Sequence, residues 1–294
     1  MYRQLFWMQL KRLAQKMYKS DIYGIKVSPT TGQQLLRNPI HSCIRRLLMK
    51  ILFLLMWLAI SATMTAKVWA EQTKSQRQTA EVLAGEAGSQ LGYWFYQPQG
   101  EKVANKKYPL VLFLHGAGER GDDINRVLRH GPPMQIKKGK DFDAYVISPQ
   151  CPQKSWWTSG EMVKQLDQLL KKIADEYPID PSRIYITGLS MGGMGTMAMV
   201  QAYPDRFAAA VPICGRGDTK KADKMVNVPM WFFHGESDGT VKPEGSTQMV
   251  EAIKAAGGKK VKLTTYPSVG HNSWTMTYDN QEVYDWMFSQ RLGK

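Results

Sequence analysis

A serine set between glycines, Gly188-Leu189-Ser190-Met191-Gly192, is the group in this chain best placed to do chemistry. A serine hydroxyl is a weak nucleophile at neutral pH. It attacks a carbonyl when a base takes its proton and a carboxylate fixes that base. Both partners follow in order. His271, in Gly270-His271-Asn272-Ser273-Trp274, comes after the last strand pattern and is the candidate base. Asp238, in His234-Gly235-Glu236-Ser237-Asp238-Gly239, is the candidate acid, with Asp218 as the alternative. His234 also follows the serine, but its place at a strand end points to a structural role. The charge that develops on an attacked carbonyl oxygen needs N–H donors. Met191, directly after the serine, supplies one. Ala117 or Gly118, in His115-Gly116-Ala117-Gly118-Glu119-Arg120-Gly121, supplies the other. The five-residue serine pattern alone is common by composition; its value comes from the ordered company it keeps.

These groups can meet only if the chain between them folds in a particular way. Arg183 to Thr187 reads as a short buried strand and Gly193 to Tyr203 as a helix, so Ser190 falls on a strand–turn–helix elbow. Leu110 to Leu114 is a continuous apolar run, as a strand buried on both faces requires. Further strands are expected at 91–96, 144–147, 207–213, 229–233 and 261–266. Glu161 to Tyr177 has the helical period, with Met162, Leu166, Leu169, Leu170 and Ile173 on one face. Two more helices are expected over 244–256 and 280–290, the first stopped by Gly257-Gly258. Strands alternating with helices predict an α/β fold with a mostly parallel central sheet and helices on both faces. Residues 91–294 read as one catalytic domain.

The 294 residues carry a net charge of +14, and most of it lies in the first 70, where 11 Lys/Arg face one acidic residue, Asp21. The catalytic part is only mildly basic, which argues against nucleic-acid binding. Met49-Lys50 opens an apolar run over 51–60, and a small-residue stretch ends in Val68-Trp69-Ala70. These are the parts of a secretory signal peptide, and the run is too short for a comfortable membrane span. The expectation is therefore a signal peptide over 49–70, a polar linker over 71–90, and a periplasmic or secreted protein with no stable membrane insertion. Residues 1–48 read as an over-extended N-terminus, with Met49 the initiator. Cys151 and Cys214 follow strands and read as two buried free thiols, although an exported protein would permit a bond between them. No His/Cys spacing suggests a metal, and the chemistry needs no cofactor.

From about Leu91 the chain resembles the secreted bacterial α/β-hydrolase esterases of the predicted-peptidase or prolyl-oligopeptidase-like group. These are related to phospholipase/carboxylesterase, dienelactone hydrolase and feruloyl or acetyl-xylan esterases. The resemblance rests on LFLHGAGERGDD (112–123), ISPQCP (147–152), RIYITGLSMGG (183–193), VPICG (211–215), FFHGESDGTV (232–241) and GHNSW (270–274). Arg216 stands where a small residue is expected. The resemblance implies a serine esterase whose triad is Ser190, Asp238 and His271. Trp156, Trp157 and Trp274 lie on loops expected at the carboxyl edge of the sheet, where indoles can stack on a sugar or an aromatic acyl group. Glu119 is a candidate polar contact to substrate. The substrate is expected to be a small-molecule or polysaccharide-linked ester. The alternatives are a serine peptidase of prolyl-oligopeptidase type and a non-catalytic carbohydrate-binding protein on the same fold.

Overall fold

The computed structural model describes residues 77–85, 90–99 and 104–293, together with Ile51 and Met56. Those two apart, the leader features expected over 1–70 lie outside the described residues. The unit spanning residues 70–294 holds the whole sheet.

Eight strands form that sheet: β1 (Gln78–Ala84), β2 (Gln90–Tyr96), β3 (Tyr108–Leu114), β4 (Tyr145–Pro149), β5 (Ile179–Leu189), β6 (Ala209–Ile213), β7 (Met230–Gly235) and β8 (Val261–Tyr266). Their spatial order is β1-β2-β4-β3-β5-β6-β7-β8. The pairs β1/β2 and β2/β4 are antiparallel, and every other pair is parallel. Every residue of β3 is buried, as expected for a central strand covered on both faces. The α/β architecture with a mostly parallel sheet is the one the sequence predicts.

Two apolar clusters cover the two faces. One gathers Leu112, Leu114, Ile186, Trp157 and the buried side of α2 (Gly160–Glu176). The other gathers Val111, Phe113, Tyr185, Val211 and Phe233 against α6 (Gln281–Ser289) through Tyr284 and Met287. The helix α2 buries Met162, Leu166, Leu169, Leu170 and Ile173, and the Ser159 hydroxyl caps it by accepting from the Met162 N–H. The remaining helices are α1 (Gly131–Lys137), α3 (Met191–Ala202), α4 (Glu244–Ala255) and α5 (Trp274–Asp279).

One local expectation needs correction, and two short helices went unread. The stretch 71–90, expected to be linker, contains β1. Its residues are polar because it is an edge strand with only Gln78 and Leu83 buried, so little apolar signal was required. The helix α1 begins Gly131-Pro132-Pro133, where proline fits the first turn because no intrahelical N–H bond is lost there. The six-residue α5 follows the His271 loop directly and buries only Thr277 and Tyr278, too short a stretch for a helical period to show.

The order of the strands decides where a site can form. From β3 the chain crosses to β4 on one side, then returns past β3 to β5 on the other. The loops leaving β3 and β5 therefore diverge and open a crevice at the carboxyl ends of those strands, where open α/β sheets bind ligands.

Candidate active site

Ser190 stands in that crevice. It follows the last residue of β5 and caps α3, with φ 53° and ψ −113°. A non-glycine residue rarely holds this conformation, and holding it costs on the order of 1–3 kcal/mol. Tight packing of the two arms imposes it. A Cβ on Gly192 would strike the Leu114 carbonyl, and one on Gly188 would strike the Gly192 carbonyl. Only glycine lets α3 sit that close under β3 and β5. The Ser190 N–H donates to the Ile213 carbonyl at 2.9 Å, which ties the elbow to β6.

The three expected residues meet. Ser190 Oγ lies 2.9 Å from His271 Nε2, and His271 Nδ1 lies 2.7 Å from Asp238 Oδ2. The only tautomer that serves both contacts has the proton on Nδ1, so that Nδ1–H donates to the carboxylate and Nε2 accepts from the serine hydroxyl. Asp238 is the residue that reaches His271. The alternative, Asp218, instead caps a surface turn by accepting from the Lys220 N–H. Burial opposes ionisation of Asp238. The hydrogen bond from His271 and the N–H groups of Val241 and Thr240 outweigh it, and the carboxyl is held below its ordinary range. The acid is therefore a carboxylate at neutral pH.

Met191 is the first residue of α3, so its N–H has no intrahelical acceptor and points from the positive end of the helix. Ala117 and Gly118 open a 3₁₀ turn over Ala117–Glu119, which likewise leaves its first N–H groups uncommitted within the turn. An anionic oxygen held between these donors would be stabilised.

The indoles divide. Trp157 is fully buried, donates from Nε1 to the His115 carbonyl at 3.0 Å, and packs in the core. The expectation that it touches substrate is corrected: with no exposed surface it serves as a post behind the loop after β3. Its neighbour Trp156 is 46% exposed, with the Arg120 guanidinium 4.8 Å above its ring. Trp274 stands edge-on to His271 at 5.3 Å and to His130 at 5.5 Å between ring centres. Glu119 is buried beneath the same loop, its carboxylate 3.8 Å from His130 Nε2.

One residue of the site went unread in sequence. His115 is buried, and its Nε2 accepts from the Cys151 N–H at 3.0 Å, clipping the loop after β3 to the loop after β4. Burial drives its imidazole down to about 4, so it is neutral. The signal was present in the His115-Gly116 pair, which the sequence reading used only to place an N–H donor at Ala117 or Gly118.

Cys151 and Cys214 are free and buried, and burial pushes both thiols up to about 12. Cys214, Asp238 and His271 each bring a possible ligand atom within 4.8 Å of the others. The carboxylate and imidazole are already committed to each other, so these atoms form a relay with a thiol beside it.

A family model for the dienelactone hydrolase family matches residues 135–285, which include Ser190, Asp238 and His271. The chain belongs to the dienelactone hydrolase family. A solved structure described as a thermostable esterase is similar at 36% identity with a TM-score of 0.66, covering 74% of this chain and 64% of that one. Poly(3-hydroxyalkanoate) depolymerase C of Paucimonas lemoignei is 28% identical over 187 residues, 49% of this chain and 44% of that protein. A protein named "Probable feruloyl esterase C" of Aspergillus flavus is 25% identical over 178 residues, 59% of this chain and 65% of its own length. The chain thus spans about half to two thirds of these relatives. This dienelactone hydrolase family member has the α/β-hydrolase fold.

Proposed function

We propose that this protein is a serine esterase that cleaves carboxylic esters through an acyl-enzyme. The observation that carries the reading is the unbroken relay from Ser190 through His271 to Asp238, mounted on a strained elbow. Ser190 Oγ attacks the ester carbonyl while His271 Nε2 takes its proton. The carbonyl oxygen gathers negative charge against the N–H of Met191 and that of Ala117 or Gly118. Collapse breaks the carbon–oxygen bond to the alcohol, which leaves with the proton from His271. Water then attacks the acyl-serine, with His271 again the base, and releases the acid and free Ser190. Asp238 keeps the proton on Nδ1 and stabilises the imidazolium without becoming protonated.

The substrate proposed is a short-chain or carbohydrate-linked acyl ester. Exposed Trp156 with Arg120 over its ring offers a flat face to a sugar or aromatic acyl group, and Trp274 borders His271 on one side and His130, the partner of Glu119, on the other. The names of the relatives above, which include a depolymerase and a feruloyl esterase, agree with an ester substrate. An intact relay disfavours a purely binding role. Among the described residues no helix is long and apolar enough to cross a membrane. Export is proposed on the leader pattern over 49–70, and N-terminal sequencing of exported protein should begin at Glu71.

Hydrolysis of a short p-nitrophenyl acyl ester tests the central claim. Ser190→Ala should lower kcat about 10⁶-fold and abolish labelling by a fluorophosphonate. Unchanged turnover in that variant would sink the proposal.

A further inference from the structure

Asp238 is held by more than its catalytic partner. Its Oδ1 accepts from the N–H groups of Thr240 and Val241 at 2.8 and 2.9 Å. Its Oδ2 accepts from His271 at 2.7 Å, and a second imidazole lies 3.2 Å from that same oxygen: Nε2 of His234, near the end of β7. His234 is fully buried, and so is the Asp238 side chain.

The protonation of this second ring can be read from its neighbours. Nε2 faces two acceptors, Asp238 Oδ2 and the Val241 carbonyl at 2.9 Å. A lone pair there would meet only lone pairs, so Nε2 carries the hydrogen. On the other side the Ser246 hydroxyl lies 2.7 Å from Nδ1 and 3.3 Å from the Gly215 carbonyl, and with Nε2 carrying the ring hydrogen it donates to the nearer, Nδ1. Ser246 sits in the first turn of α4, so that helix sets the ring's plane.

We propose that His234 is a positioning residue for the acid of the relay: its Nε2–H, forked between the Val241 carbonyl and Asp238 Oδ2, occupies the remaining acceptor site of Asp238 and aims the other lone pair of Oδ2 at His271. The inference rests on the reading of Ser190, His271 and Asp238 given above. It assigns His234 a share in turnover in place of the structural role expected from sequence. With four donors the carboxylate has one orientation. It also shares its charge between two imidazoles, so His271 meets a less basic partner than a bare carboxylate would be.

The consequence has a sign. Removing the His234 donor leaves Asp238 more charge to offer His271, which stabilises the imidazolium formed in turnover and moves the acid limb of kcat/KM to higher pH. Orientation is lost together with the donor, so kcat falls while ester binding, made elsewhere, does not change.

The experiment measures kcat, KM and the pH profile on p-nitrophenyl acetate for His234→Leu and His234→Gln. The leucine should lower kcat about tenfold to a hundredfold, the worth of one hydrogen bond to a charged group, with KM unchanged and the acid limb raised. Glutamine places an amide N–H at the Nε2 position and should restore most of kcat and return the limb toward wild type. Equal impairment in both variants with an unmoved limb would overturn the proposal, as would wild-type kcat in the leucine variant. Should the leucine variant fail to fold, ¹⁵N-histidine NMR of the wild-type protein decides independently. Neutral His234 is expected with its proton on Nε2, and a proton on Nδ1 would refute the assignment. Turnover retained by Ser190→Ala would instead strike the esterase reading, so the two failures are distinguishable.

Discussion

Lowering the pH from 7 to 5 should destabilise this protein through His115. The ring is 1% exposed, its Nε2 accepts from the Cys151 N–H, and a proton placed there would set donor against donor. Burial therefore holds its pKa near 4, against about 6.5 in an unfolded chain. As pH falls the unfolded state binds the proton first. The stabilisation is full above about 6.5 and is lost as pH falls toward 4. A gap of that size corresponds to about 3 kcal/mol, of which roughly 2 is gone by pH 5. For a domain of this size that is a fall in Tm of about 4–8 °C. The two carboxyls held low, Asp180 and Asp238, lose their stabilisation only as pH falls below their ordinary 3.8, outside this window. Differential scanning calorimetry at pH 7, 6 and 5 reads the effect. His115→Gln keeps an acceptor near Nε2 without titrating, so its melting temperature should be nearly flat over the same range. A flat wild-type curve, or an equal slope in the glutamine variant, would refute the argument.

The tryptophan pair should separate cleanly. Trp157→Ala should cost about 3–5 kcal/mol of stability, read by urea unfolding, because it empties a buried site and strips the His115 carbonyl of its donor. Trp156→Ala should leave the unfolding midpoint unchanged and raise KM for bulky esters. Cys151 and Cys214, buried and with thiols near 12, should resist Ellman's reagent in native protein and react once it is unfolded. Rapid native labelling of either would contradict their burial.

The chemistry was more legible in the sequence than the walls around it. The residues proposed as nucleophile, acid and base, Ser190, Asp238 and His271, lie on the loops that follow β5, β7 and β8, where a motif is read along the chain and chain order is topological order. The sheet was equally readable where strands are buried on both faces, as β3 is, because burial forces an unbroken apolar run. Legibility failed where one face meets water. The edge strand β1 needs only two buried residues, and a periodicity that weak resembles a linker. It failed again at Trp156-Trp157, because composition cannot say which of two adjacent indoles turns inward on an irregular loop. Trp157 does so because its N–H meets the His115 carbonyl.

That contact also bears on where specificity resides. In the proposed mechanism the loop after β3 must hold its donors at fixed distance from an oxyanion, since a donor misplaced even slightly forfeits much of its worth. Three restraints fix it. The Cys151 N–H donates to His115, Trp157 donates to the His115 carbonyl, and the Gln150 amide donates to the Glu119 carbonyl at 2.8 Å. All three residues on the far side, Gln150, Cys151 and Trp157, belong to the loop between β4 and α2. Substitutions in that segment should therefore disturb kcat through the oxyanion without touching substrate. Trp156 belongs to the same segment, yet its side chain is exposed, with Arg120 over its ring. The segment thus carries both functions on opposite faces: its inner residues fix the donor loop, and its outer indole is free to vary with the ester without loosening the catalytic geometry.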